Sequence, residues 1–208
     1  MAEFFRNLFS KKQKKANVNV ETAPLSEEQL RIVTKEDPII VPSQLLVGVG
    51  QSVGRQRDHN EDSLFYFNST FANVTNDTNF GVFVVADGMG GHEYGEVASS
   101  IASKTVGDYI VKKLYFPLYS PEKNGPPDES MQEIIEHAIK LAQNSVMQKA
   151  PGGGTTVTVG VVIGDQITIG HVGDTRLYFF YPDGRIDIKT SDHSLVKRLV
   201  DLGQITES

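Results

Sequence analysis

The chain has 208 residues, a net charge of −6 and no cysteine. That is enough for one domain of good size plus a tail; the acidic balance argues against nucleic-acid binding, and the missing thiols exclude disulfides, thiolate zinc sites and a cysteine nucleophile. No apolar run approaches the ~18 residues of a membrane span, and no secretory signal opens the chain, so a cytoplasmic location is expected.

Residues 1–15, MAEFFRNLFSKKQKK, carry five Lys/Arg and one Glu. The plainer reading is a solvated basic tail, because isolated short helices are marginal in water. Phe4, Phe5, Leu8 and Phe9 would share one face of a short helix, so weak contact with an anionic membrane surface is the alternative. Residues 16–44 mix polar, acidic and proline positions and read as linker, with a short helix around Ser26 to Val33. Residues 1–44 are therefore expected to be largely disordered, and residues 45–208 to form the domain.

LLVGVGQSV, from Leu45, looks like a strand, and Ser63 to Phe67 another. The asparagine-rich stretch FNSTFANVTNDTNF reads as a polar hairpin loop, since Asn, Asp, Ser and Thr favour turns. Asn79 to Ala86 has the strongest strand pattern. Helical patterning follows from about Glu93 to Leu114. Prolines and a glycine break the chain between Pro117 and Pro127. A second helix is expected from an Asp128 cap to about Met147. PGGGTT is a turn. Thr155 to Ile163 and Gln166 to Val172, joined by Gly164-Asp165, form a hairpin. Arg176 to Tyr181 and Arg185 to Lys189 extend it into an antiparallel meander. Ser191 or Asp192 caps a helix over about Leu195 to Leu202, closed by Gly203. Consecutive strands without helices between them, preceded by two long helices, point to an α+β fold with antiparallel sheet.

Two stretches carry chemistry. In VVADGMGGH, an apolar strand runs straight into Asp87, followed by positions almost bare of side chains. Asp-Gly is also an ordinary turn pair, so alone the stretch is ambiguous. In RDHNED, Glu61 and Asp62 are adjacent and would point to opposite sides of a strand. Arg57 beside them is an ion-pair partner, or a phosphate ligand once cations occupy the acids. Three carboxylates with an accessible backbone carbonyl at Gly88 suit a hard divalent ion. The five histidines show no HExxH-type spacing, and no G-x-S-x-G elbow or nucleotide-binding glycine loop occurs.

RDHNEDS, VVADGMGGHEYGEVAS, GGGTTVTVGVV, HVGDTRLYFF and DHSLVKRLVDLGQI together resemble the metal-dependent serine/threonine protein phosphatases of the 2C type, in their bacterial form. The resemblance covers about Val47 to Ser208. It implies a β-sandwich of two antiparallel sheets flanked by helices, incomplete at the C-terminus. It implies Mg²⁺ or Mn²⁺ in a two-metal site: Glu61 and the Gly88 carbonyl on one ion, Asp87 bridging both, Asp62 orienting the metal-activated water, Arg57 on the phosphate. Asp174 would support loops. Asp183 to Ser208 resembles the start of a flap beside the site. The activity implied is hydrolysis of phosphoserine and phosphothreonine in proteins, without a phosphoenzyme, by an expected monomer acting on phosphorylated proteins.

Two further aspartate ligands of the family lie beyond the point matching Ser208. The chain is therefore expected to be a C-terminally truncated part of the domain and weak or inactive by itself. The alternative is a non-catalytic phosphatase-like binding or regulatory module. Asn144 to Gly154 holds no acid, so a third metal is not expected. Met89 stands where some relatives carry a histidine, so leaving-group protonation would fall to water.

Overall fold

The computed structural model describes residues 26–27, 43–55, 57–72, 77–90, 93–119, 128–194 and 202–203. The chain divides into two units, Met1–Val41 and Pro42–Ser208. Of the first, only Ser26 and Glu27 are described, so the basic tail and the helix expected at Ser26 to Val33 lie outside the described residues. So does the helix expected near Leu195 to Leu202. Among the described residues no helix is long and apolar enough to cross a membrane.

The second unit is built on an antiparallel sheet. Strands β1 (Asp62–Ala72), β2 (Asp77–Met89), β4 (Val157–Ile163) and β5 (Gln166–Val172) lie in the order β1-β2-β4-β5, and the short β3 (Gly154–Thr155) also pairs with β2. Phe65 stands opposite Val84 and Phe67 opposite Val82, and on the other side of β2 Val82 meets Val161 and Val84 meets Val159. Residues directly opposite share a face, so alternate positions of each strand make one apolar surface. Phe80, Val82, Val84, Ala86, Val157, Val159 and Val161 are buried on it.

Helix α1 (Glu93–Ile110) and helix α3 (Met131–Lys149) cover that face. In α1, Ala98, Ala102, Val106 and Ile110 recur every fourth residue and are all buried, and a π-helical turn (Val111–Tyr115) carries Leu114 into the same core. That period is one helix face, and its alanines let the helix approach closely. The π turn also sets Tyr115 between Phe67 and Phe80, with ring centroids 4.7 and 5.3 Å away. The four-residue α2 (Phe116–Tyr119) follows. In α3, Ile134, Ile135, Ala138, Ala142 and Val146 face the core. Burying each large aliphatic side chain contributes about 1.5–3 kcal/mol.

A second, two-stranded antiparallel sheet pairs β6 (Tyr178–Phe180) with β7 (Ile186–Ile188). Antiparallel sheets with helices are thus the architecture, as the α+β reading required.

Several local expectations are corrected. Leu45 to Val53 forms no strand: Leu46, Val49 and Val53 are exposed, and the stretch enters no ladder. Its side-chain contacts show why it stays near the sheet: Asn68 Nδ2 donates to the Leu45 carbonyl and Gln51 Nε2 to the Asp62 carbonyl. The asparagine-rich stretch is mostly strand, because β1 runs to Ala72 and β2 begins at Asp77. Cross-strand pairing outweighs turn propensity there, as where Thr70 Oγ1 donates to Asn79 Oδ1 at 2.9 Å. Ser130, not Asp128, caps α3, in a reciprocal box with Glu133. The meander breaks after β5, where Gly173 turns the chain away at φ +112° and β6 and β7 pair only with each other.

Candidate active site

β1 and β2 place the acids. The ladder sets Asp62 directly opposite Asp87, so both carboxylates leave the sheet on the face away from α1. Burial and then the adjoining Asp62 charge push the Asp87 carboxyl above the ordinary carboxylate range; Asp174 adds to this and Arg57 opposes it.

Glu61 lies one residue before β1 and takes the other direction. Its carboxyl carbon would stand 3.3 Å from a Cβ built on Gly95, in the first turn of α1. A carboxylate beside a helix N-terminus is favoured by the backbone dipoles. Arg57 Nη1 donates to Glu61 Oε2 at 2.7 Å, and His59 Nε2 is 3.7 Å from Oε1. The Glu61 backbone carbonyl accepts from Ser99 Oγ at 2.6 Å and from the Gly88 N–H at 3.2 Å. A Cβ on Gly88 would collide with the Gly95 carbonyl. Glycine at 88 is thus required by the closeness of β2 to α1, which fixes the backbone just after Asp87.

These groups line a cleft of 720 Å³, with Arg57, His59, Glu61, Asp87, Asp174 and His193 on its walls. Met89 lines it as well. Of the residues singled out from sequence, Asp62 and Asp87 are brought side to side, Arg57 pairs with Glu61, and Gly88 joins Glu61 through the backbone. Glu61 does not converge with the other two acids: among the described residues no three His, Asp or Glu side chains meet around one point. Asp174, expected only to support loops, also acts electrostatically on Asp87.

Sequence reading missed two groups. The threonines of GGGTT bind the Asp87 backbone: Asp87 N–H donates to Thr156 Oγ1 at 3.0 Å, and Thr155 Oγ1 donates to the Asp87 carbonyl at 3.0 Å. His193 holds the turn that carries Asp174, its N–H donating to the Gly173 carbonyl at 2.7 Å. Beside it, Asp192 receives both Arg176 Nε and Nη2, a forked pair that fixes the returning chain against the turn. The threonines had a sequence trace, a Thr-Thr pair opening a strand; His193 had none, since its partner is twenty residues away.

Known proteins match this region. The serine/threonine phosphatase stp of Listeria innocua is 32% identical over 154 residues, which are 74% of this chain and 57% of that protein. The protein phosphatase PhpP of Streptococcus pneumoniae is 28% identical over 159 residues, with the same coverage. The chain thus spans 57% of the length of these curated relatives. Among solved structures, the serine/threonine phosphatase PstP/Ppp of Mycobacterium tuberculosis superposes with a TM-score of 0.52 at 27% identity, covering 74% of this chain and 57% of that one. The serine/threonine phosphatase of S. agalactiae gives 0.50 at 29% identity, covering 74% and 58%. The sequence model described as protein phosphatase 2C matches residues 49–195. The paired aspartates, the threonine pair and the Gly173-Asp174 turn all fall within that match, and the chain belongs to the protein phosphatase 2C family.

Proposed function

We propose that this chain supplies the cleft in which a metal-dependent serine/threonine protein phosphatase hydrolyses phosphoserine and phosphothreonine. One observation carries the reading: two carboxylates from neighbouring strands face each other across a ladder, and one of them, Asp87, lines an open cleft that also holds an arginine.

The family is metal-dependent, and the donor set suits a hard cation. Burial and then the charge of the adjoining Asp62 make Asp87 bind its proton more tightly. A dication relieves the repulsion between them. Asp62 and Asp87 would hold Mg²⁺ or Mn²⁺ as they stand; Glu61 would reach the same ion only by turning from Arg57 and Gly95, and the Gly88 carbonyl would complete the set. When bound, such ions supply charge neutralisation at phosphorus and acidify water at neutral pH.

The chain's own residues do the rest. The β1–β2 ladder fixes the separation of Asp62 and Asp87, so the acids need no rearrangement to act together. Glu61 holds Arg57 at the cleft wall by a 2.7 Å bond. Its guanidinium is 65% exposed on the side chain and can turn to a phosphoryl group once Glu61 is engaged elsewhere. Met89 brings no proton to the leaving oxygen, so that proton comes from solvent. The open cleft admits a phosphorylated segment of a folded protein.

Three acids carry about −3 against the +4 of two dications, so the 208-residue chain is expected to turn over slowly by itself. The test is Mn²⁺-dependent release of phosphate from a phosphothreonine peptide. It compares the chain with a chimera that adds the unmatched part of the Listeria phosphatase. The chimera should gain at least about tenfold, and Asp87→Asn within it should remove the gain, about 1.4 kcal/mol per decade. A chimera in which Asp87→Asn turns over normally refutes the assignment.

A further inference from the structure

The ladder between β2 and the β3–β4 strand is continuous in register, yet one rung is different. Gly88 stands opposite Thr155 and Val85 opposite Thr158, which places Thr156 opposite Asp87. There the Thr156 N–H donates to the Asp87 carbonyl at 2.9 Å, as a rung requires. The return bond is replaced. The Asp87 N–H goes to the Thr156 side chain, at 3.0 Å, and not to its carbonyl. The carbonyl so released shares the single Thr155 hydroxyl proton with the Asp87 carbonyl, at 2.9 and 3.0 Å. Two hydroxyls thus substitute for one backbone bond at the residue whose carboxylate faces Asp62.

Thr156 also touches the opposite wall. It is nearly buried, and it lines the cleft. A Cβ built on Gly173, whose φ is +112°, would lie 2.5 Å from the Thr156 methyl carbon. The side chain is therefore wedged between the Asp87 backbone and the turn that carries Asp174. Among the described residues its hydroxyl oxygen receives the Asp87 N–H.

We propose that Thr156 is a positioning residue for the metal-holding carboxylate of Asp87: its hydroxyl replaces a ladder bond and so sets the Asp87 backbone beside the Gly173 turn. A plain rung would draw the two strands together by backbone alone and leave the Gly173–Asp174 turn uncoupled from Asp87. This inference rests on the phosphatase reading above, but its consequences are read from cation binding and not from turnover.

Mn²⁺ is titrated into the intact 208-residue chain, with paramagnetic broadening of backbone amide resonances as the readout, because broadening registers weak sites. Thr156→Val keeps the side-chain volume and removes the hydroxyl; Thr156→Ser keeps the hydroxyl and removes the methyl. Circular dichroism and the melting temperature of each variant record the fold. Substituting a residue that orients a metal ligand costs about 10–100-fold in affinity. Thr156→Val is expected to weaken Mn²⁺ binding at Asp87 within that range, and Thr156→Ser to restore it to within about threefold of wild type. Should the valine variant not fold, Thr156→Cys, with its poor sulfur acceptor, takes its place. Wild-type affinity in the valine or cysteine variant overturns the inference, as does a serine variant that binds as poorly as valine. Failure of the wild-type chain to broaden at Asp87 instead overturns the metal-holding reading itself, and the inference with it.

Discussion

Asp87 illustrates what a single side chain contributes before any ligand is considered. Burial raises its carboxyl affinity for protons, and the Asp62 charge raises it further. The folded chain then holds this proton more tightly than the unfolded chain does. By linkage, stability falls as pH rises from the unfolded value of 3.8 up to the raised folded value, and is flat above it. At neutral pH the ionised Asp87 therefore costs stability, and Asp87→Asn removes that cost. Without metal, Asp87→Asn is expected to melt at a higher temperature than wild type at pH 7. The gap should narrow as pH is lowered to 3.5, where the Asp87 carboxyl is mostly protonated in both folded and unfolded chains. A wild-type chain that melts higher at pH 7 would show that Asp87 is stabilised by its surroundings and not strained by them. The same sign explains function: a site arranged to cost stability when empty gains it back when a cation binds.

At the scale of elements, how α1 meets the sheet decides where the acids sit. A Cβ on Gly107 would run into the Phe65 ring, so α1 rests on β1 at the distance a bare glycine allows. The same helix receives the Glu61 carbonyl on Ser99 and pairs Ser103 with Ser63 at 2.9 Å. Gly107→Ala should cost about 1–3 kcal/mol of stability, as overpacking does. Urea unfolding checks this, and a change below about 0.5 kcal/mol would show that the helix is free to shift. Much of this level was legible in the sequence. β2 was read from its apolar run, α1 and α3 from apolar positions gathered on one side of a helix, and the β4–β5 hairpin from Gly164-Asp165. What escaped were contacts between distant positions. The α3 cap went to Ser130 because Glu133 returns the hydrogen bond, a reciprocity Asp128 does not offer here. The bonds of Thr156 to Asp87 span 69 positions, so the Thr-Thr pair at the head of a strand marks the residues but not their partner.

At the scale of the whole unit, the two faces of the larger sheet differ in how they are covered. α1 and α3 bury one; on the other, Tyr66 and Val85 are about half exposed among the described residues. The small sheet repeats the asymmetry. Tyr178 pairs with Ile188 and Phe180 with Ile186, so these four side chains share one face, and Phe180 is 73% exposed. Its opposite face is sheathed by cations, with Arg185 lying 3.8 Å over the Tyr181 ring and Lys189 5.1 Å over Phe179. Apolar side chains gathered on one side of a hairpin offer a dye the surface that a scattered set does not. The native chain is therefore expected to enhance the fluorescence of an anilinonaphthalene sulfonate probe. Phe180→Ser with Ile186→Ser should remove a substantial part of that signal while far-ultraviolet circular dichroism stays unchanged. Equal fluorescence in the variant would mean that the hairpin face is covered in solution, and the bound probe would then report the face that carries Tyr66 and Val85.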